Sequence, residues 1–136
     1  MAKPLPEPGN WNFVVATDVS RLAREMRENF PDVSYERCLD ADIIHTPKAF
    51  GLQTSPAMLG RCSTENWTMS EGKLGYTFQC DGGATLTGEV TGVYASQSVT
   101  LSLTSRPRPL VRDVDTLYQT IKAKRTGPCQ SGASMR

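Results

Sequence analysis

The chain has 136 residues, the size of one domain, and can bury about two-thirds of its unfolded surface without a partner. Apolar residues make up 38% and charged ones 21%, with 15 Lys+Arg against 14 Asp+Glu and a net charge of +1. That balance argues against a nucleic-acid binder working through bulk charge and against a disordered acidic tail; no apolar run nears the roughly 20 residues that cross a bilayer.

The even total hides a slope. Residues 1–61 sum to −1, residues 62–104 to −3 and residues 105–136 to +5. A basic C-terminal quarter can serve an acidic partner, lipid headgroups or nucleic acid. Its charges are dispersed and lack interleaved aromatics, so a solvated strand face plus a loop is the simpler reading, and no nucleic-acid partner is expected.

Residues 1–7 form an extended, proline-rich lead-in, and one β-rich domain is expected over residues 8–129. Trp11, Phe13 and Val15 alternate with Asn12, Val14 and Ala16, which predicts a first strand. Val19, Leu22, Ala23, Met26 and Phe30 follow helical spacing behind the N-cap candidate Asp18, so a helix is expected over Val19–Asn29, ended by Pro31. Val33–Cys38 reads as a second strand. Residues 39–60, with two prolines and two glycines, read as an ordered loop with a short helical turn near Asp40–Ile44.

From Cys62 onward, strand-like runs and turn signals alternate. Ser63–Met69 and Lys73–Gln79 flank Ser70-Glu71-Gly72, and a hairpin centred on Glu71 sets Cys62 opposite Cys80. Asp81-Gly82-Gly83 reads as a three-residue hairpin loop that sets Cys80 opposite Ala84 and Phe78 opposite Leu86; Ala95-Ser96 is the next turn, setting Val90 opposite Leu101. These registers place Leu74, Tyr76, Phe78, Cys80, Leu86, Val90, Val99, Leu101 and Leu103 on one face, with a Thr/Ser-rich opposite face, as in an antiparallel sheet with one wet side. Residues 105–115 read as a loop. A last strand through Leu117, Ile121 and Ala123 competes with a helix over Val111–Ile121, and the strand is preferred; the tail 130–136 is expected to fray.

Gly88 and Gly92 fall on the apolar face. They mean either sheet curvature or a groove over which a ligand or partner lies. The fold expected is therefore mainly β: a single antiparallel, strongly curved or partly closed sheet with one helix packed on it and two disulfides.

The four cysteines are an even set in a small chain, which favours disulfides and an oxidising compartment. The hairpin register pairs Cys62 with Cys80, because directly opposed cross-strand positions lie near bridging distance, and this leaves Cys38 with Cys129. Each bridge is worth roughly 3–5 kcal/mol in the loop-entropy model. A zinc site is the competitor, but the spacings match no zinc knuckle and there is one His, so no metal and no cofactor is expected. Met1-Ala2-Lys3-Pro4 offers no signal-peptide apolar region. Either the chain is cytosolic or it is a mature form with an added start methionine, and the cysteines favour the second, hence a periplasmic or secreted protein.

Gly9-Asn10-Trp11 at the first strand, Tyr35-Glu36-Arg37-Cys38-Leu39, the Cys62–Cys80 hairpin, a glycine-containing strand pair and the closing Lys124-Arg125-Thr126-Gly127-Pro128-Cys129 form a sparse but ordered pattern. Over about residues 8–129 the chain resembles the bacterial family called domain of unknown function 3617, small exported proteins with these cysteines and a closing Gly-Pro-Cys. The resemblance implies an exported, β-rich domain without assigned activity, and only the cysteines carry over. The region 19–30 departs from it, since a shorter Met- and Pro-rich stretch is expected there in relatives.

Residues able to carry chemistry are few. His45 lies near Asp40 and Asp42 in sequence, with Ser55 as the nearest distinctive hydroxyl, yet no nucleophile elbow is present. Asp40-Ala41-Asp42 lacks the glycine and distal glutamate of a calcium loop, and Asp40 is expected to cap a helix. Asn66-Trp67-Thr68 is a glycosylation sequon, relevant only to secretion by a eukaryote. Trp67 is expected on the face opposite the apolar set, either as a contact residue or covered by the helix or the loop 39–60. The chain is therefore expected to be a non-catalytic binding or protein-interaction module. The alternative is a carrier of a lipid-like or other apolar small molecule, held against Tyr76, Phe78, Leu86, Gly88, Val90 and Leu101; a cavity of several hundred Å³ would separate the two.

Overall fold

The computed structural model describes residues 4–20, 24–29, 31–46, 49–50, 62–81, 85–108 and 116–129, with the backbone alone for Met26, Asn29, Cys62 and Pro107. Alternating apolar and polar residues between turn signals give seven strands: β1 (Gly9–Thr17), β2 (Val33–Leu39), β3 (Cys62–Ser70), β4 (Lys73–Asp81), β5 (Thr85–Tyr94), β6 (Ser98–Arg108) and β7 (Leu117–Gly127). They form one antiparallel sheet in the order β2-β1-β7-β6-β5-β4-β3. β3 to β7 is a meander, and the β1–β2 hairpin joins it through the β1–β7 pairing. The sheet is open, not closed: β2 and β3 are its edges.

The hairpins correct the expected registers in an instructive way. β4 and β5 pair two residues further along than expected, with Cys80 opposite Leu86 and Phe78 opposite Gly88. β5 and β6 shift by the same amount, because Tyr94 pairs with Val99 and the turn between them is longer than Ala95-Ser96; Ala95 N–H donates to Ser98 O at 2.8 Å. A shift of two leaves every side chain on its face. All nine residues expected on the apolar face are accordingly buried in the core.

The β3–β4 hairpin carries an odd shift. Its turn is Glu71-Gly72, both at positive φ (53° and 81°), so Ser70 pairs with Lys73. Asn66, at φ 61°, sits in a bulge between Glu65 and Thr68 that absorbs the extra residue, so Cys62 still stands opposite Cys80. The bulge reverses the alternation. Trp67 therefore turns onto the apolar side, against the expectation, and packs on Tyr76 with ring centroids 5.8 Å apart.

The expected helix is the main correction. Among the described residues there is no α-helix: Arg24–Asn29 is a six-residue 3-10 stretch whose Arg24, Glu25, Arg27 and Glu28 are exposed. Asp18 does turn the chain, its Oδ1 accepting from Ser20 N–H at 3.0 Å. Leu22, Ala23 and Phe30 lie outside the described residues. β6 runs through Arg108, in strand where a loop was expected, and Leu117–Ile121 is strand, not helix; residues 111–115 and the tail 130–136 lie outside the description.

The core is continuous across the sheet. Trp11 and Phe13 from β1, Leu101 from β6 and Ile121 from β7 share one core cluster with Leu39 at the end of β2 and Ile44, Ala49 and Phe50 from the segment after it. That segment begins with one helical turn, Ile44 N–H donating to Asp40 O at 3.0 Å, and Asp40 Oδ1 capping Asp42 N–H at 2.9 Å. The capping role expected of Asp40 is thus present. Trp11 is fully buried, its Nε1–H donating to Glu7 O at 3.0 Å and its ring edge-on to Phe50 at 5.4 Å.

Candidate functional site

Tyr76, Phe78 and Leu86 are brought together on the apolar face with Trp67, and all but Trp67 are buried. Tyr76 Oη donates to Phe50 O at 3.3 Å, so its one polar atom is turned toward the segment after β2. The two glycines leave no groove where they stand. A Cβ on Gly88 would lie 2.0 Å from Thr104 O and 2.7 Å from the Phe78 ring; one on Gly92 would lie 2.4 Å from Thr100 O and 2.6 Å from Leu101 Cδ2. These positions are glycine because the neighbouring strand and side chains already fill the space. At the β3–β4 edge, Ser63, Glu65, Thr77 and Gln79 border a depression of about 110 Å³. Sites for small molecules run to ~300 Å³ and more.

Three of the five segments of the sparse pattern, around Gly9-Asn10-Trp11, Tyr35–Leu39 and Lys124–Cys129, converge on the neighbouring strands β1, β2 and β7, while the Cys62–Cys80 hairpin and the glycine-containing strand lie on β3, β4 and β5. Cys38 and Cys129 are bridged with Cα atoms 5.4 Å apart, tying β2 to the end of β7 across β1. Gly9, at φ 152°, has Arg125 Nε and Gly127 O each 2.5 Å from where a Cβ would stand. Asn10 Nδ2 donates to Thr126 Oγ1 at 3.0 Å, and Arg125 Nε–H to Pro8 O at 2.8 Å. These three segments therefore form a clasp between the two ends of the domain. Cys80 is also disulfide-bonded, with the Cys62 backbone directly opposite; the Cys62 side chain lies outside the described residues.

On the wet face, the basic C-terminal charges are spread out. Lys122 and Lys124 are exposed, and Arg106 makes a two-pronged pair with Glu89 at 2.8 and 2.9 Å that holds the Glu89 carboxyl below its usual range. His45 is exposed, and its Nε2–H donates to Pro6 O at 3.1 Å, not to Asp40 or Asp42. Among the described residues no group of three or more His, Cys, Asp or Glu side chains could hold a metal ion. No helix described is long and apolar enough to cross a membrane. Ser55 lies outside the described residues.

Sequence reading quoted Tyr35 within the Tyr35–Leu39 motif but gave it no role. It pairs with Phe13 across β1–β2, the rings stacked at 5.1 Å and 3°. Its Oη is buried with no hydrogen-bond partner among the described residues, and burial pushes the phenol up to about 12, against the opposing pull of Arg37. A folded value above the unfolded one, near 10, means stability is held below pH 10 and lost as pH rises toward 12. An absorbance titration is expected to show a tyrosine ionising near pH 12, a step absent from Tyr35→Phe; ionisation of all four tyrosines near 10 would contradict this burial. The motif and the period-two pattern of Val33–Cys38 marked Tyr35 without placing it, because the β1–β2 register cannot be read from a turn signal.

Searches of curated proteins and of solved structures each return no match. A family model does match, over residues 6–129, and it spans the clasp and every strand of the sheet. The chain belongs to the family described as protein of unknown function, DUF3617.

Proposed function

We propose that the chain is an exported, non-catalytic protein-interaction module of a bacterial periplasm or of the secreted space, held by two disulfides, Cys38–Cys129 and Cys62–Cys80. The observation that supports it most is the filling of the apolar face. Gly88 and Gly92 sit under Thr104 O, Thr100 O, Phe78 and Leu101, so the face expected to cradle a lipid-like molecule is occupied by the protein's own atoms there. Recognition then falls to the outer surfaces. The Cys38–Cys129 bridge supports an oxidising compartment. His45 and Asp40 are engaged in holding the loop after β2, which supports a structural role for both.

Native mass spectrometry of protein recovered undenatured from its host tests the reading. A chain without a small-molecule adduct is expected. A copurifying apolar adduct of stoichiometric amount would replace it with the carrier reading, in which Tyr76, Phe78, Leu86 and Trp67 line the bound molecule.

A further inference from the structure

The outward positions of β7 form a row that neither the core nor the clasp uses. Tyr118, Thr120, Lys122 and Lys124 point to the wet face and are exposed, with Ile121 and Ala123 buried between them. β7 lies inside the sheet, between β1 and β6, so the row belongs to its face and not to an edge. On β6, Thr104, Ser102, Thr100 and Ser98 stand directly opposite these four in that order, and the last three are exposed. The row is thus flanked by a ladder of hydroxyl groups.

The charge on this strip is uncompensated. Lys122 and Lys124 stand about 7 Å apart along the strand, and among the described residues neither has an ion-pair or hydrogen-bond partner. The nearest carboxylate in their rows, Glu36, is two strands from Lys124, beyond Asn12. Of the residues outside the description only Asp113 and Asp115 are acidic, and both precede the Tyr118 end of β7 in sequence. Charge complementarity calls for an anionic ligand. A protein partner suits the strip poorly, because Ser, Thr and Lys seldom anchor protein interfaces. A lipid surface suits it poorly too, since such binding gathers about four to eight cations and two stand here. Hydroxyls both donate and accept, which matches a polyol chain, and the Tyr118 ring, 39% exposed, offers an apolar body for a sugar ring.

We infer that the β6–β7 face binds an acidic polysaccharide built on uronic acids. Its carboxylates lie over Lys122 and Lys124, its hydroxyls bond Thr100 and Ser102, and one sugar ring rests on Tyr118. Carboxylate is the anion that fits, because the row offers two point charges and no arginine fork of the kind that grips phosphate; Arg106, on β6, is held by Glu89. The inference goes beyond the interaction-module reading and does not depend on it.

The test is a titration of the full oxidised chain with alginate oligosaccharide, followed by amide NMR shifts and repeated with neutral dextran, polyglutamate and phosphatidylglycerol vesicles. The oligouronate is expected to bind, to shift amides along β6 and β7, and to weaken as salt rises. Lys122→Ala combined with Lys124→Ala is expected to weaken it about tenfold, and Thr100→Val combined with Ser102→Ala about fivefold. Lys73→Ala, on the same face three strands away, is expected to leave it unchanged, which separates this strip from bulk charge. All of these side chains are exposed, so the variants leave the core intact. No binding of the oligouronate, or unchanged binding by the double lysine variant, would overturn the inference. So would tighter binding of polyglutamate or of the vesicles, which would make an acidic protein or a lipid surface the occupant. Equal binding of dextran would overturn it as well, by removing the role of charge.

Discussion

Replacing Cys38 and Cys129 together by serine is expected to lower stability by about 4–5 kcal/mol, the loop-closure value for a separation of 91 residues. For a domain of this size that corresponds to a fall in melting temperature of roughly 15 °C. The bridge joins an edge strand to the last strand across β1, so its loss frees both ends of the chain at once. The remaining clasp contacts, Asn10 with Thr126 and Arg125 with Pro8, are exposed hydrogen bonds worth about 1 kcal/mol each and cannot substitute for it. Thermal melts of the oxidised double variant and the native chain measure the difference. A shift of only a few degrees would mean that the clasp is redundant.

Gly88→Ala is expected to cost about 2–3 kcal/mol, although it adds one methyl group. That methyl would stand 2.0 Å from Thr104 O, a backbone atom, so relief requires β5 and β6 to part where they pair. Gly75→Ala is the control. It lies on the wet face, where the nearest atom to its Cβ would be Val90 O at 3.3 Å, and it is expected to stay within about 0.5 kcal/mol of the native chain. Denaturant melts of the two variants separate a filled face from an open one. Equal stabilities would mean that β5 carries a groove, and the carrier reading would then displace the interaction module.

The contrast between what sequence order revealed and what it hid follows from parity. The β4–β5 and β5–β6 registers each differ from expectation by two residues, and an even slip moves partners without moving faces, so the core from Leu74 to Leu103 was legible. Trp67 was not. A single left-handed residue, Asn66, reverses the alternation, and asparagine adopts that conformation without announcing it. The pattern behind Asp18 satisfied helical period, but over one short segment period alone does not fix an α-helix, and the described part, Arg24–Asn29, is a 3-10 stretch whose charged residues stay in solvent. The Cys38–Cys129 bridge emerged by elimination from the hairpin, whereas Tyr35 belongs to a pairing between strands separated by a long connection, for which no local signal exists.

The export and the staple are tested together by the intact mass of the chain recovered from its host's extracytoplasmic fraction, alkylated before and after reduction. A protein found there that is four protons lighter than the reduced chain, and that takes up alkyl groups on all four cysteines only after reduction, is the predicted result. A protein retained in the cytoplasm with four free thiols would contradict the compartment and the stabilising role of the cysteines in one measurement.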